Sequence, residues 1–327
     1  MRLLFVGTPK VAADTLRQLL TGENFALHDI AGVLTREDAP VGRKRVITPS
    51  PVAQLADEYG IPVIKANKVT SDVLLKISEV NVDAAVVVAY GALLGPEALD
   101  SLPKGWYNLH YSLLPKYRGA APVQWALMNG EKETGVTLFQ LDAGMDTGPI
   151  LGSAGCIIEP RDNAASLLGK LSTLGISVLA EALPMIESGI MPLRQQRDAD
   201  ATFAPKLKRS DAEIDWTKSA SEIENLIRGT NPEPGAFSTV DSGPVKVLEA
   251  WAVENAVAEA SRIPSLPGAI TREGKSVVVE CGRGHLRLER VQPAGKGEMP
   301  ASDWYSGIAN RSSEEFDQLR FEVRAGA

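Results

Sequence analysis

The chain has 327 residues, of which 44% are hydrophobic and 23% are charged, values typical of a soluble globular protein with two domains. Its net charge of −7 argues against a non-specific coat for nucleic acid but leaves room for a local basic patch. The start, MRLLFVGTP, has too short an apolar run for a signal peptide, and no window approaches the roughly 18 apolar residues of a membrane span. Cys156 and Cys281 lie far apart, so we expect a reducing cytoplasm and no disulfide framework.

The N-terminal part alternates short apolar runs with helical patterns. Strands are predicted at 2–6, 28–34, 61–64, 83–89 and 105–110. Helices are predicted at 11–20, 51–59, 71–80 and 119–129. The second helix has Ser50 as its N-cap and Pro51 at its first position. This alternation predicts a doubly wound α/β domain with a parallel sheet, whose ligand lies beyond the carboxyl ends of the strands.

The sequence changes character after a long apolar-periodic helix predicted at 164–188. Residues 190–208 show little periodicity and predict a linker. After them come one helix, at 219–228, and short strands punctuated by Gly and Pro, at 236–240, 244–253, 267–271, 275–281 and 285–292. This pattern is typical of a small β-barrel or sandwich. We therefore predict an N-terminal domain at 1–189, a linker at 190–208 and a C-terminal domain at 209–327.

The stretch 106–150 offers the groups that an acyl-transfer site needs. Asn108 and His110 are two residues apart in a predicted strand, so both side chains point to the same face. A Pro- and Gly-containing loop follows, and Asp146 lies in a second Gly-rich turn after a β-rich run at 134–141. A lone histidine in a strand is more often structural, and an Asp in a Gly turn more often bonds nearby backbone. The neighbours of His110 keep catalysis open as the alternative.

Other kinds of site lack their signatures. Gly7-Thr8-Pro9 follows the first strand, but no G-x-G-x-x-G is present and Pro9 has no backbone N–H for a phosphate. The chain has three histidines and no HExxH-like ligand spacing, so no metal is expected. Ser112 lies near His110, but no G-x-S-x-G elbow surrounds it.

Two basic loops are candidates for binding nucleic acid. The first contains Arg36, Arg43, Lys44 and Arg45, and the second contains Lys206 and Lys208. Cations in loops are usually solvated surface residues, so the pattern by itself leaves both interpretations open.

Several segments together resemble one family. NLHYSLLPKYRGAAPVQWAL and LDAGMDTGPIL resemble the active-site signature of formyltransferases that use 10-formyltetrahydrofolate. GTPKVAADTL, DAPVGRKRVITPSPVAQLA, FAPKLKRSDAEIDW, IRGTNPEPGAF and LRLERVQPAGKGEMPASDW narrow the resemblance to the methionyl-tRNA formyltransferases. The resemblance covers nearly the whole chain.

The resemblance implies a fold and a set of site residues. The N-terminal domain would be Rossmann-like without a dinucleotide, and the C-terminal domain would be an OB-like β-barrel. Asn108, His110 and Asp146 fall on the catalytic trio. The tetrahydrofolate-binding loop corresponds to Ser112, Leu113, Leu114 and Pro115. Arg43 falls on the insertion-loop arginine that the family associates with the acceptor stem of tRNA. Independently of the resemblance, the other cations of the two basic loops, Arg36, Lys44, Arg45, Lys206 and Lys208, are expected to contact tRNA phosphates.

The implied reaction transfers a formyl group from 10-formyltetrahydrofolate to the α-amino group of initiator methionyl-tRNA, without a metal. We expect a monomer in a bacterial cytoplasm, with no membrane partner. One alternative is a folate-dependent formyltransferase acting on an amino-sugar nucleotide. From a different class, a catalytically inactive RNA-binding module is a second alternative, against which the three catalytic candidates and the absence of a basic face with paired aromatics count.

Overall fold

The computed structural model describes residues 1–42, 44–241, 243–253, 266–309 and 319–323. Its contacts divide the chain into two compact units. Unit 1 comprises Met1–Pro122, Glu133–Ile157 and Leu168–Pro205, and unit 2 comprises Val123–Lys132, Ile158–Leu167 and Lys206–Ala327. This division differs from the predicted boundaries, because residues 190–205 lie in unit 1.

Unit 1 is built on a seven-stranded sheet with the strand order β5-β2-β1-β6-β7-β8-β9. Its strands are β1 (Arg2–Gly7), β2 (Asp29–Thr35), β5 (Val63–Lys65), β6 (Ala84–Val88), β7 (Trp106–His110), β8 (Glu133–Gln140) and β9 (Ile150–Ile157). Neighbouring strands from β5 to β7 pair in parallel, as predicted. β8 and β9 pair antiparallel, and β9 was not predicted. The predicted α/β fold is thus confirmed, with an antiparallel extension at one edge.

Five helices lie wholly or mostly in unit 1: α1 (Lys10–Thr21), α2 (Pro51–Glu58), α3 (Ser71–Glu79), α4 (Pro96–Leu99) and α6 (Ala164–Ser188). Helix α5 (Pro122–Met128) belongs to unit 2 from Val123 onward. α2 begins as predicted, with Ser50 Oγ accepting a hydrogen bond from the backbone N–H of Ala53 and Pro51 at the first position. The Ser50 hydroxyl also contacts Thr35 Oγ1 at 2.6 Å, which ties the start of α2 to the end of β2.

Helix α6 corrects the prediction that no segment is long and apolar enough for a membrane span. Its 25 residues contain a window of mean hydropathy 1.3, which satisfies that test by length and composition. Within the fold, α6 packs one face on the sheet: Gly175 lies against Leu109 of β7, and Val178 lies against Gly152 of β9. The buried leucines recur along the helix at positions 167, 171, 179 and 183. This is the pattern of a core helix covering a sheet.

The predicted polar loop at 35–50 contains a β-hairpin. Its strands are β3 (Ala39–Val41) and β4 (Val46–Thr48), which pair only with each other in the part of the chain that the structure describes. Val41, Val46 and Ile47 are 58%, 58% and 63% exposed. We call residues 39–48 the hairpin.

Unit 2 contains a six-stranded antiparallel sheet, which agrees with the predicted OB-like domain. Its elements are α7 (Ala220–Thr230), β10 (Phe237–Val240), β11 (Gly243–Val253), β12 (Ile270–Glu273), β13 (Ser276–Glu280), β14 (His285–Pro293), β15 (Met299–Pro300) and α8 (Ala301–Ala309). Ser219 and Glu222 form a capping box at the start of α7. Phe321 stacks on Trp216 at 4.8 Å and on Trp304 of α8 at 5.8 Å, in the middle of the core.

α8 was not predicted. Its sequence, ASDWYSGIA, mixes Ser, Asp and Gly among the apolar residues, and these residues favour caps and turns over helix interiors. Burial of Ala301, Trp304 and Tyr305 against the sheet stabilises the helix in spite of this weak propensity.

Candidate active site

Strand β7, which lies between β6 and β8 in the sheet, presents Asn108 and His110 on one face. In the antiparallel pairing of β7 with β8, Asn108 lies opposite Phe139 and His110 lies opposite Thr137. Residues directly opposite each other point to the same face, so Phe139 and Thr137 share the face of Asn108 and His110. The His110 ring meets Phe139 edge-on, with the ring centroids 6.4 Å apart. Leu109 points to the opposite face, under α6. The alternation predicted from the sequence is therefore observed, and the core helix and the candidate site occupy opposite faces of the strand.

The loop that follows β7 is held down on the candidate-site face by β8. Thr137 Oγ1 donates to the carbonyl of Ser112 at 2.7 Å and accepts from the backbone N–H of Leu114 at 3.1 Å. Ser112 is fully buried, and its hydroxyl donates to the carbonyl of Lys116 at 2.6 Å. Residues 112–115, the predicted folate loop, are thus fixed by hydrogen bonds within the protein.

A glycine of β8 makes room for this loop. A Cβ on Gly135 would lie 2.5 Å from Leu113 Cδ2 and 2.2 Å from the carbonyl oxygen of Ala154. Leu114 packs with Phe139 and Ile150 in a small apolar cluster. Leu113 and Pro115 are half-buried. The loop therefore rests on the sheet through Leu114 while Leu113 occupies the space that Gly135 leaves.

Asp146 reaches His110 from an unexpected direction. β8 runs antiparallel to β7, so Leu141 at its end bonds the carbonyl of Trp106, at the start of β7. The loop after β8 then folds back along the strand and brings Asp146 Oδ2 to 3.8 Å from His110 Nδ1. Asp146 has a φ of +55°, and its Oδ2 also accepts from the backbone N–H of Gly119 at 2.8 Å.

His110 is held as a neutral base. Its side chain is buried, and its Nε2 lies 2.9 Å from the carbonyl oxygen of Tyr117. A carbonyl can only accept, so this contact places the proton on Nε2 and leaves the Nδ1 lone pair facing Asp146. Burial lowers the pKa of His110 below its ordinary value, against the opposing effects of the Asp146 charge and the Tyr117 bond.

These three groups differ in what they offer a reacting carbonyl and amine. Asn108 is half-buried, and its amide makes no hydrogen bond with the residues that the structure describes. It is therefore available to donate to an oxygen on which negative charge develops. His110 Nδ1 and Asp146 Oδ2 are two acceptors too far apart to be bonded to each other. An N–H donor placed beside them can bond either one.

The cations predicted to bind tRNA have different surroundings. Arg36 is half-buried and donates to Asn67 Oδ1 at 3.1 Å and to the carbonyl of Gly91 at 2.9 Å, so its guanidinium is engaged inside unit 1. Lys44 and Arg45 are exposed at the tip of the hairpin. Arg43 lies outside the described residues.

The second predicted basic segment lies where Lys206–Ala327, the longest segment of unit 2, begins. Lys206 and Lys208 are exposed. The backbone N–H of Lys208 donates to Asp211 Oδ2 at 2.7 Å, so this part of the backbone is fixed while both ammonium groups face solvent. In the described parts of the chain, no group of three or more His, Cys, Asp or Glu side chains is arranged to hold a metal ion.

Sequence reasoning missed two residues next to the site. Gln196 Nε2 donates to the carbonyl oxygens of Asp146 and Gly148, both at 2.8 Å. Its Oε1 accepts from Arg118 Nε at 3.1 Å and Nη2 at 2.9 Å. Arg118 lies in KYRGAAP, a part of the segment that resembles the family's active-site signature, and this position indicated that it lies near the site. Gln196 lies in the predicted linker, where no sequence pattern indicated that it lies near the site.

Comparison with known proteins identifies the family. The family described as "Formyl transferase" matches residues 1–183, and "Formyl transferase, C-terminal domain" matches residues 206–309. A methionyl-tRNA formyltransferase of Arthrobacter sp. (strain FB24) is 46% identical, with 94% of this chain and 97% of the relative covered. One of Geobacter metallireducens is 41% identical, with 94% of this chain and 96% of the relative covered.

Solved structures share the fold at low identity. The sugar 3N-formyl transferase WlaRD, solved with dTDP and 5-N-formyl-THF, gives a TM-score of 0.64 at 17% identity and covers 91% of this chain and 99% of its own. HypX from Aquifex aeolicus, solved with tetrahydrofolic acid, gives 0.62 at 16% identity over 99% of this chain and 51% of its own. The solved structures show that the fold is shared, and the sequence relatives show the family. The chain belongs to the methionyl-tRNA formyltransferase family.

Proposed function

We propose that this protein transfers the formyl group of 10-formyltetrahydrofolate to the α-amino group of methionyl-tRNA. The observation that carries the proposal is the assembly of Asn108, His110 and Asp146 on and over one face of β7, with His110 Nδ1 and Asp146 Oδ2 3.8 Å apart. Relatives named methionyl-tRNA formyltransferase share 40–46% of the sequence over nearly the whole chain. The formyl donor supplies a carbonyl carbon that an amine attacks.

Asn108 stabilises the developing charge. As the amine attacks, electron density moves onto the formyl oxygen, and the free amide N–H of Asn108 donates to it. A neutral amide donor suits this role because it acts at any pH and needs no protonation step. Removing one such donor typically lowers the rate by about 10²- to 10³-fold.

His110 and Asp146 handle the amine. The amine nitrogen gains a bond to carbon and must lose a proton. The neutral imidazole accepts that proton at Nδ1, and the carboxylate of Asp146 stabilises the imidazolium that forms. When the tetrahedral intermediate collapses, the bond between the formyl carbon and the folate nitrogen breaks, and the imidazolium returns the proton to that leaving nitrogen. The bond from Nε2 to the carbonyl of Tyr117 fixes the tautomer that this step needs.

Residues 112–115 form the proposed contact with the folate. Two features of this loop fit that role: it borders the Asn108 and His110 face, and Thr137 holds its backbone in place. A loop held by bonds within the protein loses little conformational freedom on binding, which favours affinity for the donor.

The proposed tRNA contacts lie in the hairpin and in the segment that contains Lys206 and Lys208. Arg43, Lys44, Arg45, Lys206 and Lys208 would neutralise phosphates, so binding should weaken as salt rises. Arg36 stays in the proposed set, with Nε and Nη1 bonded to Asn67 and Gly91 and Nη2 left to donate to a phosphate. From the sequence, Arg43→Ala should raise the KM for tRNA and leave folate affinity unchanged.

Three finer features complete the proposal: the initiator tRNA as acceptor, a bacterial cytoplasm as location, and action as a monomer. The named relatives are bacterial, which supports the location. The monomer stays a prediction from the sequence, and sedimentation of the purified protein tests it.

One assay tests the reaction against its alternatives. The protein is incubated with 10-formyltetrahydrofolate and methionyl-tRNA, with the donor and an amino-sugar nucleotide, or with the donor alone. Formyl-methionine released from tRNA is the expected product. Formylation of the sugar alone would replace the proposal by the sugar-nucleotide reaction, and no transfer in any arm would leave an RNA-binding module.

A further inference from the structure

A chain of hydrogen bonds connects the Asp146 loop to a buried cation. Gln196 donates to the carbonyls of Asp146 and Gly148 and accepts twice from Arg118. The Arg118 side chain is 4% exposed, and its Nη1 donates to Asp198 Oδ1 at 2.9 Å. A buried guanidinium requires such acceptors, because leaving it without them costs several kcal/mol of desolvation.

The amide of Gln196 has only one workable orientation. Arg118 can only donate, and the two carbonyl oxygens can only accept. The group between them must therefore offer an acceptor on one side and N–H donors on the other. A primary amide does this, whereas a carboxylate has no donor and a methionine has neither a donor nor a strong acceptor.

The segment 196–204 also holds the backbone beside the site. Thr202 accepts from the backbone N–H of Arg118 at 2.9 Å through its carbonyl and from that of Tyr117 at 2.8 Å through its hydroxyl. Ala204 N–H donates to the carbonyl of Arg118 at 2.8 Å. These bonds fix the backbone of Tyr117 and Arg118. The carbonyl of Tyr117 holds His110, and the N–H of Gly119 holds Asp146.

We propose that Gln196, oriented by Arg118, is a positioning residue that keeps the Asp146 carboxylate beside His110. Asp146 is a non-glycine residue at a φ of +55°, a conformation that is unfavourable for such a residue and persists where its surroundings hold it. The two bonds from Gln196 to the carbonyls at 146 and 148 supply that restraint. The catalytic consequence rests on the proposed function, whereas the restraint itself does not.

The test compares Gln196→Met with Gln195→Met. Gln195 is the adjacent, exposed residue, so the second variant makes the same chemical change outside the network. We expect Gln196→Met to lower kcat by on the order of 10- to 100-fold, because small misplacements of a catalytic group cost that much, and to leave the KM for the formyl donor within about twofold. Gln195→Met should match the wild type in both.

Hydrogen exchange gives a readout that does not depend on turnover. The amide of Gly119 is protected by Asp146 Oδ2, so it reports whether the carboxylate stays in place. In Gln196→Met, exchange at Gly119 and across 142–148 should accelerate by more than about tenfold, whereas Gln195→Met leaves it unchanged. Unchanged exchange in Gln196→Met overturns the proposal.

A double-mutant cycle separates positioning from general destabilisation. Once Asp146→Asn has removed the carboxylate, Gln196→Met should cost little further activity, since both changes act on the same group. Full additivity, or a kcat within twofold of the wild type in the single variant, overturns the proposal. If Gln196→Met does not fold, Gln196→Glu keeps the shape and the acceptor for Arg118, and the same outcomes decide.

A wild-type protein that transfers no formyl group to methionyl-tRNA would defeat the proposed function. Hydrogen exchange at the Gly119 amide would still decide whether Gln196 restrains the Asp146 carboxylate.

Discussion

The His110 site and the hairpin differ in how far their side chains are buried and hydrogen-bonded. His110 is 5% exposed and bonded at Nε2, and the loop beside it is tied to Thr137. In the hairpin, Val41, Val46 and Ile47 are more than half exposed beside the exposed Lys44 and Arg45. The groups of the first region are held in place by hydrogen bonds within the protein, as electrostatic catalysis requires. The second leaves apolar area and charge open, as a binding surface does.

The largest expected effect comes from removing the Asn108 amide, the hydrogen-bond donor of the His110 site. Asn108→Ala should lower kcat/KM for formyl transfer by about 10²- to 10³-fold, because the amide N–H is lost from the developing oxyanion. His110→Ala should also lose most activity, because the proton acceptor is removed. Both folds should survive in circular dichroism, and Asn24→Ala, at an exposed asparagine, serves as the control. Near-wild-type turnover in either variant removes that residue from the mechanism.

The next effect disturbs the loop and leaves the catalytic groups intact. In Gly135→Ala the new methyl collides with Leu113 and with the Ala154 carbonyl, so we expect a loss of about 1–3 kcal/mol of stability and a higher KM for the formyl donor. Gly155 pairs with Gly135 across the sheet, and a Cβ there meets nothing closer than 3.9 Å. Gly155→Ala is therefore the matched control. If the KM for the formyl donor is the same in the two variants, Leu113 has no role in binding the folate.

A smaller effect tests the open region. Lys44→Ala should raise the KM for methionyl-tRNA on the order of threefold and reduce the salt dependence by about one phosphate contact, with the folate KM unchanged. Lys76→Ala, at an exposed lysine of α3, controls for net charge. The same tRNA KM in both variants would show that charge at the hairpin tip has no special role.

The smallest effect concerns protonation of His110. Burial disfavours the charged imidazolium, so the pKa of His110 lies below the ordinary histidine value, and the base is lost only as the pH falls through that lowered pKa. Asp146→Asn removes a charge that raises this pKa, and the midpoint should therefore move still lower. Titration of the imidazole protons by NMR, assigned with His28→Gln and His285→Gln, measures both. A midpoint above the ordinary value, or an upward shift in Asp146→Asn, contradicts the account.

Local patterns predicted most of the elements, because hydrophobic periodicity and caps are properties of neighbouring residues. Ser50 and Pro51 marked the start of α2, and the run DAAVVVA marked the buried strand β6. β9 escaped prediction since its sequence, ILGSAGCI, is rich in small residues and carries weak strand propensity. It is a strand because β8 supplies its pairing partner.

The sequence by itself determined the α/β class, the shared face of Asn108 and His110 and, through family resemblance, the reaction, and it led us to propose Asn108, His110 and Asp146 as the catalytic trio. These follow from a two-residue repeat and from motifs that are contiguous in the chain. Only the tertiary structure decided that the loop after the antiparallel β8 returns Asp146 to His110, that Arg36 is engaged inside unit 1, and that Gln196 bonds the Asp146 loop. Gln196 lies 50 residues beyond Asp146 in the chain. Contacts at such separations depend on how the whole chain packs, and no local pattern of residues encodes them.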